Sequence, residues 1–170
     1  LRVMNSVSEF EEKLWDRFAL VDPARGLNPF VQHRFLSALE DAGCVGERAG
    51  WLSQHLVLQT GKGDVLGIVP AYLKGHSQGE YVFDHGWADA FERAGGRYYP
   101  KLQVSVPFTP ASGPRLLVGN DGNTDLARNA LVEGIKGYVS QTGISSAHAT
   151  FIEPDDLEAM RTDEFLHRID

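Results

Sequence analysis

Asp84 and His85 stand side by side in FDHGWADAFERAGG, where an apolar run gives way to a helical pattern. A carboxylate beside an imidazole can take a proton from an amine or a hydroxyl. The pair also suits a plainer role, with Asp84 closing a turn and His85 in solvent, because neighbours on a strand face opposite ways. A second group follows in YYPKLQVSVPFTPASGPRLL, residues 98–117. There Tyr98, Tyr99, Lys101, Gln103 and Ser105 put polar tips near one another, either lining a cleft or facing water. Arg115, just after Pro114, is placed to reach the turn carbonyls or the tyrosine pair, which predicts a structural part for it. The candidates are therefore Asp84 or His85 as proton acceptor, with Tyr98, Tyr99, Lys101 and Arg115 positioning a substrate.

Other chemistries find less support. The six histidines, His33, His55, His76, His85, His148 and His167, include no pair at i,i+4, and Cys44 is the only cysteine. That excludes an internal disulfide and gives no ligand spacing for zinc, so no metal is expected. In GKGD, Gly63 follows Lys62 where a phosphate loop needs Ser or Thr, so the stretch reads as a hairpin turn. No G-x-S-x-G elbow is present, and Cys44, after a helix stop, reads as a buried small hydrophobe rather than a nucleophile.

The elements that must position these residues are legible from periodicity. Ser8 with Glu11 reads as a capping box opening a helix that carries Phe10, Leu14 and Phe18 on one face, with Trp15 beside them. Asn28 before Pro29 predicts a second helix start, with Val31, Phe35, Leu39 and Ala42 as its stripe and Gly43 as its stop. WLSQHLVLQT and VLGIVPAYLK flank GKGD as a hairpin, GEYVFDHG reads as a short strand, and WADAFERAGG as a short helix. Leu102, Val104, Val106 and Phe108 alternate with Gln103, Ser105 and Pro107, which predicts a strand with one buried face. PRLLVG predicts another strand, after a connection stiffened by Pro110 and Pro114. A helix from Thr124 to Thr142 follows, with Leu126, Ala130 or Leu131, Ile135 and Val139 inward. AHATFIEP is a strand, DDLEAM a helical turn or two, and FLHRI a last strand with an unpaired edge. The order is α-α, antiparallel strands, then β-α-β: one α/β domain with helices against a mixed, largely antiparallel sheet.

Composition bounds the class. In 170 residues, 42% are hydrophobic and 23% charged, a globular mixture able to bury a core. Sixteen basic against 23 acidic residues give a formal charge of −7, which argues against a dedicated nucleic-acid surface. No apolar run approaches the ~18 residues of a membrane span. A soluble, cytoplasmic chain is expected.

NPFVQHRFLSALEDAG, VPAYLKGHSQGEYVFDHGWADAFERAGGRYYPKLQVSVPFTPASGPRLL and the Trp51 strand resemble the amino-terminal half of the FemAB-like predicted N-acyltransferases. These are bacterial proteins of peptidoglycan biosynthesis or recognition, related to the GNAT acetyltransferase fold. The resemblance covers most of positions 28 to 118, including the unusual YYPK, PFTP and GPR elements. It implies a longer protein with two GNAT-like lobes, of which this is the first, cut short at its carboxyl end. It also implies transfer of an acyl or aminoacyl group to an amine, with acyl-coenzyme A or aminoacyl-tRNA as donor and a peptidoglycan precursor as acceptor. Partners would be the missing lobe or a second copy. The resemblance assigns no role to the candidate residues. Two readings stand beside catalysis: a binding module for a cell-wall precursor, and a structural half that docks the other lobe.

One departure bears on the donor. GNAT enzymes hold the coenzyme A pyrophosphate on free N–H groups at a helix start. The corresponding place, GNDGNTDLARN, has Gly119 and Gly122 but no arginine at the needed spacing, and Asp121 and Asp125 would repel an anion. No cofactor is expected in this lobe. Titration calorimetry of the chain with acetyl-coenzyme A should give no heat up to about 1 mM, a binding free energy weaker than about −4 kcal/mol. Micromolar binding lost on Gly122→Val would make the lobe a donor site.

Overall fold

A computed structural model describes residues 1–20, 28–82, 84–120, 122–161 and 165–169. In chain order the elements are β1 (Arg2–Met4), α1 (Glu12–Ala19), α2 (His33–Asp41), β2 (Trp51–Ser53), β3 (His55–Gln59), β4 (Val65–Val69) and β5 (Ala71–Lys74). Then come α3 (His85–Arg93), β6 (Lys101–Val104), β7 (Leu117–Val118), α4 (Thr124–Thr142), β8 (Ala147–Ala149) and α5 (Pro154–Met160).

The hairpin around GKGD forms, but its arms break at Gln54 and Pro70. Proline has no N–H to give the ladder, and there the Ala71 N–H turns to His55 Nδ1 at 3.3 Å. The halves beyond the break enter different sheets. β1-β3-β4-β7 is antiparallel throughout, whereas β2-β5-β6-β8 ends in a parallel pair, β6 with β8. The fold is thus mixed α/β and mostly antiparallel, with two four-stranded sheets where one was expected.

Burial explains the layering. On the first sheet Val57 and Ile68 pack with Trp15, Phe18 and Leu36 beneath α1 and α2. Their neighbours Leu56 and Val69 face the other way, with Leu102 and Val104 of the second sheet and Leu131, Val132 and Ile135 of α4. The first sheet is therefore buried on both faces. So is β6, whose four residues are all buried, although the sequence pattern predicts one buried face. Its second face carries Lys101 and Gln103.

Several expectations are corrected. Ser6, not Ser8, makes the capping box, with Glu9, and it closes a tight turn at Val7–Glu9 before α1 starts at Glu12. Glu40 fixes this choice by accepting the Ser6 hydroxyl at 2.6 Å. Asn28 caps a similar turn at Pro29–Val31, so α2 begins only at His33 and buries Leu36, leaving Ala42 exposed, and Cys44 beyond the helix stop is exposed too rather than buried. α4 spans the predicted range, but Leu126 is 71% exposed because it lies in the first turn, ahead of the buried stretch Leu131–Ile135. GEYVFDHG is not a strand among the described residues. Tyr81 has φ +57, a left-handed backbone that cannot continue one, and α3 already begins at His85. FLHRI makes no ladder either, with Leu166 and Ile169 in solvent, so β8 rather than the terminal segment edges the second sheet. No helix among the described residues is long and apolar enough to cross a membrane.

The placement of α4 can be checked by denaturant unfolding. Leu131→Ala should cost about 2–5 kcal/mol as a core truncation. Leu126→Ala should stay within about 0.5 kcal/mol, as at other exposed sites.

Candidate functional site

The register of β5 against β6 sets Lys74 directly opposite Lys101. Both side chains are completely buried. Like charges facing each other across a ladder are unfavourable, and an uncompensated buried ammonium is far worse. The loop after β5 supplies the compensation. Lys101 Nζ donates to Ser77 Oγ at 2.9 Å, Glu80 Oε2 at 2.8 Å and Asp84 Oδ2 at 2.7 Å, which uses all three of its protons. Lys74 Nζ donates to the Gln78 carbonyl at 2.9 Å and lies 3.6 Å from the centre of the Trp51 ring, a cation–π contact. The Tyr98 hydroxyl donates to Asp84 Oδ2 at 2.8 Å, and the Tyr99 hydroxyl shares a hydrogen bond with Ser77 Oγ at 2.8 Å.

Two lysines thus meet two carboxylates in a neutral, closed cluster. Burial works against the Asp84 charge, but the hydrogen bonds from Lys101, Ser77 and Tyr98 outweigh it and bring its pKa down to about 2. Burial pushes Glu80 up, against the pull of Lys101. Burial brings Lys74 down to about 8, with Glu80 opposing. On β8, His148 is lowered to about 4 by burial and by Lys101, which leaves the ring neutral near pH 7. Trp51 Nε1, Glu80 Oε1, Asp84 Oδ1, Gln103 Oε1 and Ser105 Oγ are buried here without a hydrogen-bond partner among the described residues.

Of the residues singled out from sequence, Asp84, Tyr98, Tyr99 and Lys101 come together. His85 does not join them: it is exposed in the first turn of α3, and the neighbouring carboxylate is committed to Lys101 and Tyr98. An Asp84–His85 dyad is therefore absent from the geometry, and a carboxylate held near 2 is a weak base. Arg115 lies elsewhere. Its guanidinium donates to the carbonyls of Ala111 (2.8 Å), Thr150 (3.0 Å) and Pro114 (3.2 Å), so of its two possible targets it takes the turn carbonyls. Asp156 completes that corner by accepting the backbone N–H groups of Arg115 and Leu116, at 2.6 and 3.1 Å. Sequence reading missed Lys74, Ser77 and Glu80. No local spacing marks them, because Glu80 lies in a loop and the partner lysine opposite Lys101 needs the strand register.

A cleft of about 560 Å³ opens on another side, between the end of α1, Asn28–Phe30, the Ala111–Pro114 turn, the β7–α4 connection and the start of α5. Its lining includes Arg128, Glu153 and Asp155 with the amides of Asn28 and Asn120. This is where the sequence placed the strand-loop-helix candidate for a donor. Asp125 there is exposed and pairs with Arg128 at 3.3 Å, whereas Asp121 lies outside the described residues.

A family model described as FemAB-like, peptidoglycan biosynthesis/recognition, matches residues 6–170. No curated protein and no solved structure gives a match.

The ion cluster sets an acid limb for stability. The pKa of Asp84 falls on folding from the ordinary 3.8 to about 2, so its contribution is complete above about 4 and is lost as pH drops through 2. That contribution is about 2 kcal/mol at neutral pH. Urea unfolding between pH 6 and 2 should show this loss on top of that from Glu40, which is also lowered to about 2. Asp84→Asn should flatten the limb. Lys101→Met, which strands two buried carboxylates, should cost about 3–5 kcal/mol at pH 7.

Proposed function

The chain belongs to the FemAB-like family, and on that premise we propose that it is a GNAT-like lobe of an N-acyltransferase that holds the amine acceptor, a peptidoglycan-precursor peptide. The observation that carries this reading is the mixed charge of the larger cleft, where Arg128 lies beside Glu153 and Asp155 with two amides. A stem peptide carries an ammonium and carboxylates, and such a cleft offers each a complementary partner once Arg128 exchanges its pairs with Asp125 and Asp155 for the ligand. A coenzyme A pyrophosphate carries only negative charge and would meet the two carboxylates. The donor, acyl-coenzyme A or aminoacyl-tRNA, is then held by a second lobe. Amide formation needs a proton acceptor for the attacking amine and donors for the oxyanion. Neither candidate lines this cleft, since Asp84 is committed to Lys101 and His85 lines the smaller cleft beside Tyr81, so the proton acceptor for an amine held here comes from outside that pair. A cytoplasmic location, where soluble precursors are made, goes with this role.

A second reading is recognition without catalysis. It is favoured by the closed state of the lysine cluster, where Asp84 is unsuited to move a proton.

The test is calorimetry with a stem pentapeptide that bears a free side-chain amine and no sugar. A Kd on the order of 10 µM, about −7 kcal/mol, is expected. The double change Glu153→Gln and Asp155→Asn should weaken binding about tenfold. Absence of binding rejects the acceptor role. Binding without amide formation when donor and complete protein are supplied selects recognition alone.

A further inference from the structure

The loop after β5 is fastened from below, and among its described residues Tyr81 stands open above. Ser77, the Gln78 carbonyl, Glu80 and Asp84 all bond to Lys74 or Lys101, while Tyr81, between two of these anchors, is 53% exposed. Tyr81 has φ +57, a left-handed conformation that a bulky residue holds only where its surroundings impose it. Phe108 repeats the combination, with φ +56 and 42% exposure. Its N–H donates to the Gly79 carbonyl at 3.2 Å, and its ring packs on Trp51 at 5.4 Å between centroids. The ring also covers Gly79 so closely that a Cβ there would come within 2.5 Å of it. Both residues combine a left-handed backbone with an aromatic ring that is about half exposed, although Phe108 also packs on the buried Trp51. The buried lysines make the arrangement rigid, and rigid exposed rings are what a stacking site needs.

Tyr81 and Phe108 line a cleft of about 330 Å³ with Gln78 and His85 at hand. No lysine or arginine lines it among the described residues, so its chemistry is not that of an anion site. Aromatic walls with a few hydrogen-bonding groups suit a ligand with an apolar face and a polar edge. A pyranose ring has that form, with C–H groups on its faces and hydroxyl and acetamido groups around its edge. We propose that this cleft is a sugar subsite that stacks an N-acetylhexosamine ring on Tyr81 against Phe108. The choice of sugar rests on the peptidoglycan reading above. The subsite is separate from the charged cleft that takes the peptide.

The test uses the whole chain, saturation-transfer NMR, and two probes without peptide, N-acetylglucosamine and tri-N-acetylchitotriose. A Kd of about 1 mM is expected for the trimer. Tyr81→Phe should bind within about twofold of the parent, whereas Tyr81→Gly should weaken binding at least tenfold, about 1.4 kcal/mol. Glycine accepts the positive φ, so Tyr81→Gly should melt no lower than the parent, which separates loss of the ring from loss of the fold. A trimer that binds more tightly than the monosaccharide marks polymerised glycan as the source of the ring, and equal binding marks a single-sugar precursor. No transfer at about 10 mM sugar, or binding unchanged in Tyr81→Gly, overturns the proposal. Peptide binding without sugar binding overturns this subsite alone; sugar binding without peptide binding overturns the acceptor role alone.

Discussion

Lys101 spends all three of its protons inside the protein, on Ser77, Glu80 and Asp84. Each of these acceptors comes from the loop after β5, so one ammonium gathers that loop over the second sheet. Lys74, its neighbour across the ladder, adds the Gln78 carbonyl and the Trp51 ring. An ion cluster of this kind is seldom the most stabilising way to fill space, since an apolar replacement of equal volume does as well or better. Its effect is conformational. The cluster fixes where the loop runs, pins Tyr98 and Tyr99 at its edge, and leaves Tyr81 presented to solvent.

The break at Gln54 and Pro70 makes that cluster reachable. Had the hairpin continued as one flat ribbon, β5 would extend the first sheet, whose two faces are already apolar and covered. The missing proline N–H lets the arms turn into a second sheet with one apolar face. That face, with Leu102 and Val104, joins the α4 core. The other face is polar and buried, with Tyr72, Lys74, Lys101 and Gln103. Polar residues at that depth need partners, and the loop and the tyrosine pair supply most of them.

A second, independent corner holds the larger cleft in shape. Arg115 ties the proline-rich turn to the end of β8 through carbonyls, and Asp156 holds the start of the β7 segment to α5. Burial lowers the Arg115 guanidinium to about 10, yet Asp156 keeps the charged form favoured at neutral pH. Both corners use one buried side chain to collect loose backbone and loop polar groups. The surfaces built above them, aromatic in one case and charged in the other, are the candidate binding sites.

The sequence alone determined the element types and most of their order, because periodicity and punctuation are local. α4 ran from Thr124 to Thr142 as read, and Gly43, with φ +68, stopped α2. It also carried the family resemblance and grouped Asp84, Tyr98, Tyr99 and Lys101 as a possible site. Tertiary structure decided what that group does chemically. Whether Asp84 is a base depends on a lysine seventeen positions later and a tyrosine fourteen later. Lys74 and Glu80 joined only when strand register and loop path were set. The caps moved for the same reason: Ser6 and Ser8 are equivalent locally, and Glu40, far along the chain, selects Ser6. Local pattern fixes which backbone forms are favourable, whereas charge pairing is a property of three-dimensional proximity that the linear order does not encode.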